Sequence, residues 1–349
     1  MKALGVLLSA AFAALVVALA PFGHADIAIW VPGAGAAGSP NWDVMRRVPA
    51  GYTLEQLDYP DGLWPWTGLN SATGAQSIAA GTPLLDTMIS TALGQGKVIV
   101  IGESLGSLVV DEELRKLADD PAAPDPSQLQ FMVLADPSRT GGLFSYLPTG
   151  SRELLTGGVT EPVPVTPYNI TVIKLQYDAI ASFPDRPWHL LADLNALAGA
   201  MVYHGTDHYG RAAQMVLNGE VPPENITTST NAKGGTTTTY TIQQEPALTH
   251  LLEPFFPKSV AVLDKILTPM IALGYSELTP DAGPHLAPGG ALVDRNGQPV
   301  FDRKRTVKST AVSPRKQALP SRAVGTGGSR RVAAKSTPPS AGSDRRPGR

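Results

Sequence analysis

The sequence predicts an α/β fold: a mostly parallel sheet with helices on both faces and a capping region toward the C-terminus. Three observations predict it. Runs such as "KVIVI" (Lys97 to Ile101), "QFMVLAD" (Gln130 to Asp136) and "NITVIKLQYD" (Asn169 to Asp178) are apolar nearly throughout, as strands buried on both faces are. Between them lie segments whose apolar residues recur at helical spacing. Strand and helix alternate along the chain, the order that sandwiches a parallel sheet between helical layers.

Each element follows in turn. "DIAIWV" (Asp26 to Val31) is the first strand, and the glycine-rich "PGAGAAGSP" comes after it. "YTLEQLDYP" (Tyr52 to Pro60) is the second, followed by a Trp-rich turn, "DGLWPWTG". Ser71 to Leu93 reads as a helix with a kink or break at Pro83. After the buried strand "KVIVI", Ser104 to Leu117 places Leu105, Leu108, Val109 and Leu117 at the spacing of a helix packed on a sheet. Trp188 to Val202 is helical, "TTSTNAKGGTTTTYTI" suggests a hairpin around Gly234 and Gly235, and Ala247 to Tyr275 is a second, Pro-interrupted helical stretch. This C-terminal half is expected to cap the sheet.

Composition bounds the rest. The 349 residues are 43% hydrophobic with a mean hydropathy of -0.01, the profile of a soluble globular chain. The net charge of -2 hides an asymmetry. Phe301 to Arg349 carries 13 Lys/Arg against 2 Asp/Glu, and the preceding residues carry 15 against 28. The expected organisation is a signal peptide over 1–25, one domain over 26–298 and a basic disordered tail over 299–349. Lys2, the uncharged apolar run Leu4 to Leu19, Pro21 and the small residues at 23 and 25 are the pattern of a cleaved export signal. An uncleaved anchor is the rival reading, and either one exports the body. The chain has no cysteine, which excludes disulfides, thiolate metal sites and a Cys nucleophile. The sequence calls for no cofactor, no metal and no nucleic-acid partner.

The chemistry centres on Gly102-Glu103-Ser104-Leu105-Gly106, a G-x-S-x-G pattern between a buried strand and a helix. A serine at the tip of such a turn sits in strained backbone, so its neighbours two residues away must lack bulk. The helix behind it aims amide N–H groups at a developing oxyanion. One oxyanion donor is assigned to the amide of Leu105 and the other to the Gly33–Gly35 loop at Ala34. Glu103 is expected to be a solvated residue of the turn. A triad acid belongs at a strand end, where Asp178 ("LQYD") and its rival Asp136 ("LADP") both stand. His204 and His208 in "VYHGTDHYG" are both candidates for the base, and His250 reads as a packed histidine.

Several segments together resemble the mycobacterial PE-PPE domain, a serine α/β-hydrolase family of exported lipases, esterases and envelope acyltransferases. They are "LDYPDGLWPWTG", "GESLGSLVVDEELRKL", "FMVLADPSRTGGLFSYLP", "LQYDAIASFP", "LADLNALAGAMVYHG" and "LTPMIALGY", in order over Asp26 to Tyr275. The resemblance implies the α/β-hydrolase fold, with Ser104 as nucleophile, Asp178 as acid and His204 as base. Asp136 and His208 remain the alternatives. Ser182 stands where the family often has a second aspartate, and a signal peptide stands where a PE or PPE helical module would.

The implied function is an exported hydrolase or acyltransferase acting on ester-linked fatty acyl chains of lipids or trehalose glycolipids. The competing class is a catalytically silent envelope-binding protein. The basic tail would contact the membrane surface or cell envelope in either case.

Overall fold

Successive residues of the first strand point to opposite sides, and both sides are apolar. Ile27, Ile29 and Val31 face one way and Ala28 and Trp30 the other, all buried. In the computed structural model, which describes residues 26–36 and 49–301, this strand (β1, Asp26–Val31) lies inside a seven-stranded sheet. The expected signal peptide and nearly all of the basic tail lie outside the described residues.

The other strands are β2 (Tyr52–Gln56), β3 (Val98–Glu103), β4 (Leu129–Leu134), β5 (Ile170–Leu175), β6 (Ile226–Thr230) and β7 (Thr236–Ile242). Their order is β2-β1-β3-β4-β5-β7-β6, and every pairing is parallel except that of β6 with β7. Helices α1 (Gly74–Leu93) and α2 (Leu105–Asp119) cover one face. Leu85, Ile89, Val109, Val110 and Leu114 pack there against Ile27, Ile29, Val98, Val100 and Phe131. Helices α3 (Leu190–Val202) and α4 (Thr206–Leu217) cover the other, where Ala198, Tyr209, Ala212 and Ala213 meet Trp30, Ile101, Met132 and Ile173. Each fully buried aliphatic side chain contributes about 1.5–3 kcal/mol. Two such layers hold the fold without disulfides.

The structure sharpens two sequence expectations. Helix α1 passes through Pro83 without a break. Its start is fixed by a capping box, in which Thr73 accepts from the Gln76 amide and Gln76 accepts from the Thr73 amide. Packing of Leu85 and Ile89 then offsets the cost of the interior proline, about 3 kcal/mol. The C-terminal half, in turn, does more than cap. The Thr-rich hairpin extends the sheet, with β7 lying parallel to β5 in the register Ile170↔Thr237. β-branched threonines suit a half-buried pleated surface, so the segment joins the sheet.

What remains of that half is α5 (Ala247–Leu252), α6 (Val260–Ala272) and a small antiparallel pair, β8 (His285–Leu286) with β9 (Leu292–Val293). Arg186 ties it together. This fully buried guanidinium donates to the carbonyls of Leu273, Thr279, Gly283 and Pro284 and to Thr279 Oγ1. Pro299 and Val300, on the tail side of the expected boundary at 298, still pair with this region.

Helix α3 crosses the chain just after β5 at Gly199. A Cβ there would stand 1.8 Å from the Tyr177 carbonyl oxygen. Gly199→Ala is therefore expected to destabilise the protein by about 3 kcal/mol, read as a lower midpoint in urea unfolding. An unchanged midpoint would mean that the helix shifts freely at this crossing.

Candidate active site

β3 is buried along its whole length and ends where α2 begins, with a single residue between them. That residue, Ser104, has φ 51° and ψ -115°, a region that non-glycine residues occupy only when the surroundings enforce it. The surroundings here are glycines. A Cβ on Gly106 would lie 2.1 Å from the Val31 carbonyl oxygen, and one on Gly102 would lie 2.7 Å from the Gly106 oxygen. The Ser104 amide donates to the Leu134 carbonyl of β4 at 2.9 Å, and the Ser107 amide and hydroxyl both donate to the Ser104 carbonyl.

The loop after β1 lies against the same point. A Cβ on Gly33 would come within 3.3 Å of Ser104 Cβ. The Gly35 amide donates to the Asp61 carbonyl and the Ala36 amide to the Gly33 carbonyl. Ala34 sits in the turn so formed, and Leu105 opens α2 with its side chain buried.

Tyr177, at φ 68°, bends the chain after β5 and delivers Asp178 to the interior, where it is fully buried. Its Oδ1 accepts from the Ile180 amide at 3.0 Å. Its Oδ2 accepts from the Tyr209 hydroxyl at 2.6 Å and lies 2.8 Å from His204 Nδ1. His204 stands between α3 and α4, with Nε2 2.9 Å from Ser104 Oγ. A carboxylate on Nδ1 holds the proton there and leaves Nε2 as the acceptor for the serine hydroxyl. Serine, imidazole and carboxylate thus form one line along which a proton can move as Ser104 Oγ bonds to an electrophilic carbon.

The alternatives lie elsewhere. Asp136 accepts from Arg139 Nε at 2.9 Å and from the Ser138 amide, and Arg139 also pairs with Asp111 on α2. Its charge is spent on a buried guanidinium. His208 lies in the first turn of α4, edge-on to Tyr203 at 6.0 Å between centroids, and burial and Arg211 lower its pKa. His250 is exposed on α5 beside Glu253, where a packed histidine was expected.

Two residues matter that the sequence reading missed or misread. Tyr209 was not anticipated. Its phenol is fully buried, burial and Asp178 hold its pKa well above 10.0, and it therefore stays a donor to the acid. Glu103 was expected in solvent and is instead buried at 4% exposure. Alternation explains it: Glu103 continues the Ile99, Ile101 side of β3, which faces α4.

Burial alone would lower the imidazole pKa of His204. The Asp178 charge and hydrogen bond, with Glu103 behind them, outweigh burial and raise it above 6.5.

A groove of about 960 Å³ lies along the flank of α2, where Leu108, Asp111 and Glu112 line it; Ser104, Asp178 and His204 do not. Ile78, Ala79, Phe144, Leu147 and Val159 give it an apolar wall, and Asp86, Arg115, Lys116 and Glu161 line it as well. The volume is that of a small-molecule site.

Titration of His204 followed by NMR should therefore give a midpoint above the ordinary imidazole value. Removing either negative charge, by Glu103→Gln or Asp178→Asn, should move the midpoint down, and Asp178→Asn should move it further. A midpoint that ignores Glu103→Gln would remove that carboxylate from the electrostatics of the site.

A family model for the PE-PPE domain matches residues 50–276. The PPE family protein PPE63 of Mycobacterium tuberculosis (strain ATCC 25618 / H37Rv) is 39% identical over 247 residues, 69% of this chain and 50% of that protein. The SL1278 acyltransferase Chp1 of the same strain is 35% identical over 298 residues, 79% of this chain and 70% of Chp1. Esterase PE16, also of that strain, is 33% identical over 258 residues, 69% of this chain and 47% of PE16. The chain thus spans about half the length of PPE63 and of PE16. Ser104, Asp178 and His204 all fall inside the matched span, and the chain belongs to the PE-PPE domain family.

Proposed function

We propose that this protein is an exported serine acyl hydrolase or acyltransferase acting on ester-linked fatty acyl chains of lipids or trehalose glycolipids. The observation that carries the reading is the line from Ser104 Oγ through His204 to the buried Asp178, at 2.9 and 2.8 Å. Relatives named as an acyltransferase and as an esterase support both outcomes of the same chemistry.

In the first step His204 Nε2 takes the Ser104 proton as Oγ attacks the ester carbonyl. The resulting oxyanion is held by the amides of Leu105 and Ala34, and Asp178 stabilises the imidazolium. Collapse expels the alcohol, which leaves with the proton from His204, and the acyl group stays on Ser104. Water or a sugar hydroxyl then gives up a proton to His204 and attacks the acyl-enzyme; collapse releases an acid or a new ester as His204 returns the proton to Ser104 Oγ. The acceptor is set by the pocket and by water exclusion.

Export rests on the leader-like residues 1–25. Cleavage before Asp26 would leave β1 whole. The basic tail is assigned to contact with anionic headgroups at the envelope.

A fluorophosphonate probe should label wild-type Ser104 and leave Ser104→Ala unlabelled, with turnover of a short p-nitrophenyl ester falling roughly 10⁴–10⁶-fold. A folded wild type that takes no label and turns over no ester would favour the catalytically silent envelope-binding reading. Tyr209→Phe should lower kcat about tenfold with little change in KM, because it removes a hydrogen bond to the charged acid. A drop confined to KM would place Tyr209 in binding.

A further inference from the structure

The loop between β2 and α1 turns its largest apolar side chains outward. Trp64 is 49% and Trp66 76% exposed, although burying an indole is among the most favourable things a side chain can do. The loop holds both rings on a fixed frame. The Trp64 amide donates to the Ala72 carbonyl at 2.9 Å, and the Trp66 and Thr67 amides donate to the Leu63 carbonyl. The Leu63 amide donates to Thr67 Oγ1 at 2.7 Å, and Thr67 Oγ1 donates in turn to Ser71 Oγ at 2.9 Å. The same loop is fastened to the Gly33–Gly35 loop. The Tyr59 hydroxyl donates to the Pro32 carbonyl at 2.7 Å, and the Gly35 amide donates to the Asp61 carbonyl at 3.0 Å. A Cβ on Gly35 would lie 3.3 Å from Thr67 Cγ2, and one on Gly33 would lie 3.3 Å from Ser104 Cβ. Contacts thus lead from the serine to the residue that follows Trp66.

Resting on the acyl-ester chemistry above, we propose that Trp64 and Trp66 form a subsite for the sugar half of the substrate, a neutral ring stacked on the indoles. The openness of the platform selects the guest. An acyl chain laid on exposed rings would keep its far side in water and gain little. A pyranose has an apolar C–H face for the electron-rich indole and hydroxyls to leave hydrated. The indole N–H is a donor for one of those hydroxyls. Charge selects in the same direction. No Lys or Arg occurs from Val48 to Gly96, while Asp58 and Asn70 are exposed in that stretch. Carboxylate and amide oxygens accept from sugar hydroxyls, and a stretch without cations gives an anionic headgroup nothing to pair with. Position completes the case. The platform adjoins the loop that lies against Ser104, where the alcohol of the ester and the acceptor hydroxyl must both come. The hydrogen-bonded frame also limits the ordering lost when the ring binds.

The test compares two esters of one short acyl chain, trehalose monohexanoate and methyl hexanoate, through the ratio of their kcat/KM values in the full-length protein. That ratio does not depend on how much of a variant folds. Trp66→Ala should lower it about tenfold, and Trp64→Ala should lower it as well. Trp66→Phe, which keeps an aromatic face, should lower it less than Trp66→Ala. A second arm titrates trehalose alone into Ser104→Ala protein by calorimetry, where adding Trp66→Ala should weaken binding about tenfold. A ratio unchanged by both alanine variants would overturn the sugar subsite, whatever the turnover of either ester. If the ratio holds while Trp66→Ala loses sedimentation with phosphatidylcholine vesicles, the indoles belong to a lipid surface and the subsite is overturned. Trehalose binding that Trp66→Ala weakens, in a protein whose wild type turns over neither ester, would sink the acyl-ester chemistry and leave the sugar subsite standing. Absence of both turnover and trehalose binding would overturn the two together.

Discussion

The site depends on one contact from which a side chain is missing. Gly106, in the first turn of α2, lies so close to the carbonyl oxygens of Val31 and Pro32 that no Cβ fits between them. The helix therefore starts hard against the end of β1, and β3 has one residue in which to turn. Ser104 absorbs the whole bend at φ 51°. Such a conformation costs of order 1–3 kcal/mol, and the flanking strands sustain it through the Ser104 amide bond to Leu134. The same approach brings the Gly33 loop alongside the serine, so the hydroxyl and the neighbouring amides are arranged by a single steric fact.

Electrostatics divides the remaining acids. Asp136 and Asp178 both follow the ends of adjacent parallel strands, and both are buried. Asp136 meets Arg139, three residues on, and its charge is neutralised within its own turn. Among the described residues, Asp178 meets no Lys or Arg side chain. It receives a backbone amide, a phenol and an imidazole, so its charge remains available to a ring that gains a proton. Glu103 adds a second negative charge on the same side of the sheet and biases the histidine further toward its protonated form.

The fold was legible because the parallel strands are apolar throughout and the helices keep their period. The serine turn was legible because glycines at 102 and 106 are a steric requirement written in residue types. The partners of Ser104 were less so. "LADP" and "LQYD" look alike until Arg139 is seen to fold back on the first of them. The imidazoles of His204 and His208, four residues apart, are separated only by where α3 stops. Glu103 could have been found from the alternation of Ile99, Ile101 and Glu103. Tyr209 could not, because a phenol in a helix carries no sign of what its hydroxyl meets. The hairpin was visible, but its partner was not, since Thr237 to Ile242 pairs with a strand far back in the chain.

The double use of Asp178 Oδ2 has a mechanical consequence. His204 and Tyr209, five residues apart on one short stretch, both grip the same oxygen, and the Tyr209 hydroxyl also accepts from the Leu175 amide at 3.3 Å. The arrangement is a chelate: release of one arm leaves the other holding the stretch within reach, at a high effective concentration. The imidazole cannot swing out on a long tether as a histidine on an open loop could. Both side chains are thereby held to the end of β5.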